Sequence, residues 1–149
     1  VPDKLIKMVK KHLVANEVAR QVSLASGDGI PPLSVDILLS VCNNKVDAVR
    51  AMIQEFVSVT GADIQKARES LDATDIPALK SWAHRVKGSS AMIGADPVRQ
   101  AAAELERLAI SMEVEAALRQ LCELENEFKA LVSFSERVID LLSKQDTGM

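Results

Sequence analysis

The sequence predicts an all-α protein: an antiparallel four-helix bundle preceded by a short lead-in helix and an extra N-terminal helix. Three observations carry this. Aromatic residues make up 3% of the 149 residues, with no Tyr, while 48% are hydrophobic. The core must therefore come from Leu, Ile, Val, Ala and Met, a composition that suits helices better than sheets. Six Gly and five Pro are too few to turn an all-β chain. Finally, apolar residues recur at helical spacing in successive segments joined by short polar turns, and short connections favour antiparallel neighbours.

The elements follow in order. Within residues 3–20, Leu5, Ile6, Val9, Leu13 and Val14 fall on one helical face and lysines fill the other. The stretch Ser26–Pro32 (SGDGIPP) breaks that helix with Gly and paired Pro. Residues 1–32 are thus read as an amphipathic helix and linker, and residues 33–149 as the main domain. Ser34 or Asp36 can cap a short lead-in helix to about Cys42, with Ile37, Leu38 and Val41 inward. After Asn43-Asn44 a long helix runs from about Lys45 to Leu71, where Gly61 is a candidate bend. Asp75-Ile76-Pro77 starts the next, with Asp as cap and Pro in the first turn, where its missing N–H is harmless. Gly94 ends it. Asp96-Pro97 repeats that start for a helix to about Ser111, with Val98, Ala101, Ala102, Leu105 and Leu108 inward. The last helix runs from about Val114 to Leu142, with Leu118 among its inward residues and a candidate kink at Ser133–Ser135.

Composition limits the function. The net charge is −3, which makes no general case for nucleic acid. The basic residues are unevenly placed: Lys4, Lys7, Lys10, Lys11 and Arg20 cluster in the first 32 residues. Cys42 and Cys122 have no CxxC spacing and read as small core residues. With His12 and His84 they make no metal-ligand spacing. No apolar run approaches the ~18 residues of a membrane span, and no signal peptide is visible. The chain opens on Val1, which suggests a piece of a longer protein.

One helix carries chemistry. With Leu79 at zero and about 100° per residue, Leu79, Trp82, Ala83, Val86, Ser90 and Ile93 fall within about 60° of zero and form the core face. His84 falls at about 140°, on the solvent side. Gly88, one turn on, costs roughly 1 kcal/mol relative to Ala. It gains nothing from packing on an exposed face, but it clears space beside the imidazole. Ala91 keeps the same strip low. Lys80 and Lys87 stand at i−4 and i+3, where helix side chains meet. A neutral imidazole is a nucleophile near pH 7. Phosphoryl transfer needs mainly positioning and charge stabilisation, which lysine can supply. No carboxylate stands at i±3 or i±4 from His84, so nothing on this helix can act as its base.

The stretch AHRVKGSSAMIGA, Ala83 to Ala95, resembles the signature of histidine phosphotransfer (HPt) domains, broadly A-H-x-L-K-G-S-S-x-x-x-G-A. Ala83, His84, Lys87, Gly88, Ser89, Ser90, Gly94 and Ala95 match, and Val86 stands where the family often has Leu. Leu105–Ala109 (LERLA) resembles the family's next helix. The resemblance covers about Ser34 to Leu142. It implies a phosphorelay carrier without its own ATP site. His84 would accept a phosphoryl group through Nε2 from a receiver-domain aspartate and pass it to a response regulator. Lys87 would steady the phosphoryl oxygens, Gly88 would admit the partner, and Ser89 would bond to backbone or orient the group. No cofactor is expected in this chain; the receiver would bring Mg2+, since a clustered carboxylate site is missing here. The segment DKLIKMVKKHL resembles the closing helix of a receiver domain. That points to the C-terminal HPt domain of a hybrid sensor histidine kinase, a cytoplasmic part of a parent that can be anchored in the inner membrane.

Other readings account for less. An inactive scaffold that binds receivers without phosphoryl transfer would have no need of the His84–Lys87–Gly88 set. A complete kinase needs a nucleotide-binding domain, for which there is neither a glycine-rich loop nor room. A di-metal bundle needs Glu-x-x-His pairs, but Ser81 and Val9 stand three residues before the two histidines. Partner identity, direction of net flow and oligomeric state are not legible.

Overall fold

The computed structural model describes Asp3, Glu17, residues 20–22 and residues 30–147, with side chains to Lys144. Most of the expected N-terminal helix and linker lies outside the described residues. Glu17 and residues 20–22 are helical, and Arg20 donates to the Glu17 carboxylate at 2.7 Å.

Five helices follow: α1 (Val35–Val41), α2 (Val46–Asp72), α3 (Ile76–Met92), α4 (Asp96–Ile110) and α5 (Val114–Thr147). The four long ones close a ring in which α2 packs on α3, α3 on α4, α4 on α5, and α5 back on α2. The turns between them are too short for any but antiparallel neighbours. This is the all-α bundle that composition and periodicity predict. Among the described residues no helix is long and apolar enough to cross a membrane.

Each helix owes its position to its sequence. Ser34 caps α1, its hydroxyl accepting from the Ile37 N–H at 3.3 Å. The buried face of α1 is Val35, Leu38 and Leu39. Ile37 and Val41, expected inward, are exposed at 42% and 58%, because a helix of two turns buries only the stripe facing its neighbours. Asn43 and Asn44 both take positive φ, a conformation Asn tolerates better than most residues. They turn the chain into α2. Gly61 does not break that helix. A Cβ there would stand 3.4 Å from the Phe128 ring, so glycine lets α2 and α5 approach closely.

Asp75 caps α3 by accepting from the Ala78 N–H at 3.2 Å, worth about 1 kcal/mol. Gly94, at φ +69°, turns the chain after α3, and its carbonyl accepts from the Ser34 N–H at 3.1 Å. This bond ties α1 to the end of α3. The expected cap of α4 shifts by one residue. Ala95 occupies the cap position, and Asp96 is the first helical residue, 3.4 Å from Arg99. Asp96 still places negative charge at the helix N-terminus, where the dipole favours it.

The core is aliphatic. Leu38, Val49, Leu79, Val86, Leu105, Leu121, Leu124, Leu131 and Leu142 are fully buried, each side chain contributing roughly 1.5–3 kcal/mol relative to exposure. The long α5 passes Ser133–Ser135 without interruption, and the Ser135 hydroxyl donates back to the Val132 carbonyl at 2.7 Å. Two expectations fail on α5. Leu118 is 46% exposed, and Cys122 lies on the surface beside the Arg68 guanidinium (3.6 Å), whereas Cys42 is buried. Arg68 also pairs with Glu125, its Nε donating at 3.2 Å, which joins α2 to α5 and holds the guanidinium pKa above its ordinary value.

Candidate functional site

The site is built on the outer face of α3. Leu79, Ala83, Val86 and Ser90 are buried, so the 3.6-residue period turns His84, Arg85 and Gly88 outward. The His84 side chain is 69% exposed. A Cβ built on Gly88 meets nothing within 4 Å. Lys80 and Ala91 are exposed and Lys87 is half-buried. Of the residues singled out in the sequence, Lys80, His84, Lys87, Gly88 and Ala91 thus lie on one strip of one helix. Ser90 faces the core and its hydroxyl donates to the Val86 carbonyl at 2.6 Å. Ser89 is half-buried on the flank of α3 that faces α2.

A residue from the next helix completes the site. Leu105 and Leu108 fix the inner face of α4, and this brings Glu106 over the edge of α3. Its side chain is only 14% exposed. Glu106 Oε2 lies 2.6 Å from His84 Nδ1, and Oε1 accepts from Lys87 Nζ at 2.8 Å. Burial pushes the Glu106 carboxyl up, but the hydrogen bonds from Lys87 and His84 outweigh it and hold the group below its ordinary value. His84 Nε2 has no hydrogen-bond partner among the described residues.

Lys87, expected to steady phosphoryl oxygens, is paired with a carboxylate in the unphosphorylated site. α3 itself has no carboxylate one turn from His84; the partner stands on α4, within the LERLA stretch. No spacing rule for one helix can find it. The available signal was a lone Glu at the edge of an otherwise apolar and alanine-rich helix face.

On the other flank of α3, the Arg85 guanidinium lies over the Trp82 ring, 5.1 Å from its centroid. It stands 3.6 Å from Asp63 Oδ2 on α2. Asp63 is 5% exposed. Beyond it, a groove runs between α1, α2 and the end of α3. Val41, Met52, Phe56, Val59, Met92 and Ile93 line it, with Glu55, Thr60 and Ser89 as polar points. Met92 and Val41 are 77% and 58% exposed, so the groove opens onto the same side of the molecule as the strip.

A four-helix bundle that presents an exposed imidazole beside a bare glycine, with cations on the same strip, defines the class of helical phosphoryl carriers. The Hpt domain family model matches residues 51–134, more than half of the chain, and the chain belongs to the Hpt domain family, which works in histidine phosphotransfer. Among solved structures, histidine-containing phosphotransfer protein B from Pseudomonas aeruginosa PAO1 is 26% identical, with a TM-score of 0.66 over 74% of this chain and 96% of that one. A putative histidine-containing phosphotransfer protein from rice shares the fold at a TM-score of 0.75 and 16% identity, over 91% of this chain and 98% of that one. The HPT domain of a sensor hybrid histidine kinase from Shewanella shares it at 0.56 and 21% identity, over 73% and 92%. No curated protein sequence matches.

Proposed function

We propose that His84 is the phosphoryl acceptor of this phosphotransfer domain and that its partners are two receiver domains, one donating and one accepting. The observation that carries this is the 69% exposed imidazole of His84 beside a glycine whose missing side chain leaves open space. In the transfer, the Nε2 lone pair attacks phosphorus. The bond from phosphorus to the aspartyl oxygen breaks, and its electron pair leaves on the carboxylate of the donor. Onward transfer reverses these roles: the acceptor aspartate attacks and the Nε2–P bond breaks. Magnesium would be held by the receiver. Lys80, exposed one turn before His84, is placed to meet phosphoryl charge. Gly88 and Ala91 keep the strip low for the partner, and Ser89, on the flank toward α2, borders the groove beside it.

The groove between α1, α2 and α3 supplies the apolar part of the receiver's docking surface. It flanks the strip and combines exposed Met92 and Val41 with half-buried Ser89. The similarity of DKLIKMVKKHL to the last helix of a receiver supports a place at the C-terminal end of a hybrid sensor kinase, on its cytoplasmic side. Residues 1–32 would then be the passage from receiver to phosphotransfer domain.

The test is transfer of label from a phosphorylated receiver to the purified chain, followed as acid-labile, base-stable phosphate. The wild type takes label. His84→Ala takes none while its helicity by circular dichroism is unchanged. Label on His84→Ala would place the acceptor elsewhere, and a folded wild type that stayed unlabelled with several receivers would favour a scaffold.

A further inference from the structure

We infer that Arg85 is a specificity-determining residue for the receiver: pinned on the α2 flank by Asp63 and the Trp82 ring, its guanidinium takes a carboxylate side chain of the docked partner. This rests on receivers being the partners. Arg85 follows His84 directly, so it stands about 100° round α3 from the imidazole, on the side of α2. Its side chain is 59% exposed, and Nε lies 3.6 Å from Asp63 Oδ2. The guanidinium is 5.1 Å from the Trp82 centroid, within reach of the ring's negative face. Charge and the ring hold it, since 3.6 Å is too long for a hydrogen bond and Asp63 Oδ2 has no hydrogen-bond partner. Among the described residues no group accepts from the Arg85 N–H donors. Their planar fork matches the two oxygens of a carboxylate.

Asp63 decides what the fork can reach. It is 5% exposed, and Arg85 is its ion-pair partner among the described residues. A buried carboxylate stripped of its counter-charge is costly, so Arg85 stays over the α2 flank instead of swinging to a phosphoryl group on His84. Pinning also removes rotamer freedom that would otherwise be lost on binding. Asp63 is thus the positioning residue and Arg85 the contact. The surrounding charge selects the partner's sign. α3 carries Lys80, Arg85 and Lys87 but no Asp or Glu, in a chain of net charge −3. Lys87 is already paired with Glu106, which leaves Arg85 as the cation of α3 on the groove side. Glu55, the groove's own acid, stands roughly 12 Å along α2 from Asp63. A receiver with apolar side chains over the groove and an acid beside Arg85 is accepted; one with Lys or Arg there is repelled.

The experiment uses the full chain and an unphosphorylated receiver domain that exchanges label with it. Affinity is measured by calorimetry for wild type, Arg85→Lys, Arg85→Ala and Arg85→Glu. Circular dichroism checks folding, and nitrogen-15 NMR of the His84 ring is expected to match wild type. Arg85→Ala should weaken binding about tenfold, the loss of a charge-assisted hydrogen bond, and Arg85→Glu more; Arg85→Lys should recover part of the loss. Binding should also depend less on salt in Arg85→Ala, and transfer should show the loss in KM rather than in kcat. Each acid on the receiver's docking face is then replaced by Lys, and one such variant should bind Arg85→Glu better than it binds wild type. Asp63→Asn should weaken binding several-fold in wild type and have no effect in the Arg85→Ala background; an equal effect in both would make Asp63 structural only. Arg85→Glu binding as tightly as wild type, or no receiver variant restoring it, would overturn the proposal. Should Arg85→Glu not fold, unchanged affinity in Arg85→Ala would do the same. Unchanged affinity with a slower kcat would assign the guanidinium to the phosphoryl group instead. A wild type that neither bound nor exchanged label with any receiver would defeat the partner reading itself.

Discussion

Gly88 separates function from stability at a single position. Nothing lies within 4 Å of where its Cβ would be, so Gly88→Leu has room on the outer face of α3. Gly within a helix costs about 1 kcal/mol relative to Ala, and Leu is nearly as good a helix former. The substitution is expected to raise stability by up to about 1 kcal/mol, measured by urea unfolding, while phosphoryl uptake from a receiver falls steeply because the side chain stands one turn from the imidazole. Normal uptake would show that the partner does not approach over this strip. At this scale the sequence was informative wherever one helix decides the outcome. The period of α3 alone turns His84 out and Ser90 in. Glu106 escaped because its relation to His84 depends on how α4 lies against α3, and that is set by Leu105 and Leu108 packing into the core.

Among the helices, capping chemistry was the most legible feature. Ser34 and Asp75 accept from the backbone N–H three residues on, and Gly94 closes α3 at positive φ. What the local pattern misjudged was burial at element ends: Ile37, Val41 and Leu118 satisfy a helical period but have no neighbour to cover them. Ile37 has a contact of another kind. A Cβ at Gly94 would stand 2.7 Å from Ile37 Cδ1 and from Ser34 Cβ. Gly94→Ala thus meets two obstacles, a left-handed backbone angle and the start of α1. Strain of this type costs on the order of 1–3 kcal/mol. Thermal unfolding should show a clear loss of stability, and amide exchange should show α1 opening first, since the Ser34–Gly94 bond is what ties it to α3. A variant as stable as wild type would mean that α1 shifts freely and contributes little to the groove it borders.

For the whole molecule, the ring of four helices follows from short turns and apolar stripes, but the division of its surface does not. Two flanks of α3 end up chemically different. Toward α4 lies a carboxylate shared by His84 and Lys87; toward α2 lie Arg85 on the Trp82 ring, Asp63 and the apolar groove. A partner that covers the strip meets a carboxylate on one side and, on the other, the Arg85 guanidinium and the mainly apolar groove, and this difference orients it. Met92 tests the apolar side without touching the chemistry. At 77% exposure it contributes little to the core, so Met92→Glu should leave the unfolding midpoint nearly unchanged. In a docked complex the same substitution buries a charge against Val41 and Val59, and removing a central apolar anchor typically costs more than about 1 kcal/mol. The affinity of an unphosphorylated receiver, measured by calorimetry, is expected to weaken about tenfold, with the His84 nitrogen signals unaltered. If affinity held while Gly88→Leu abolished transfer, the receiver would have to approach from the α4 flank, and the groove would have no part in docking.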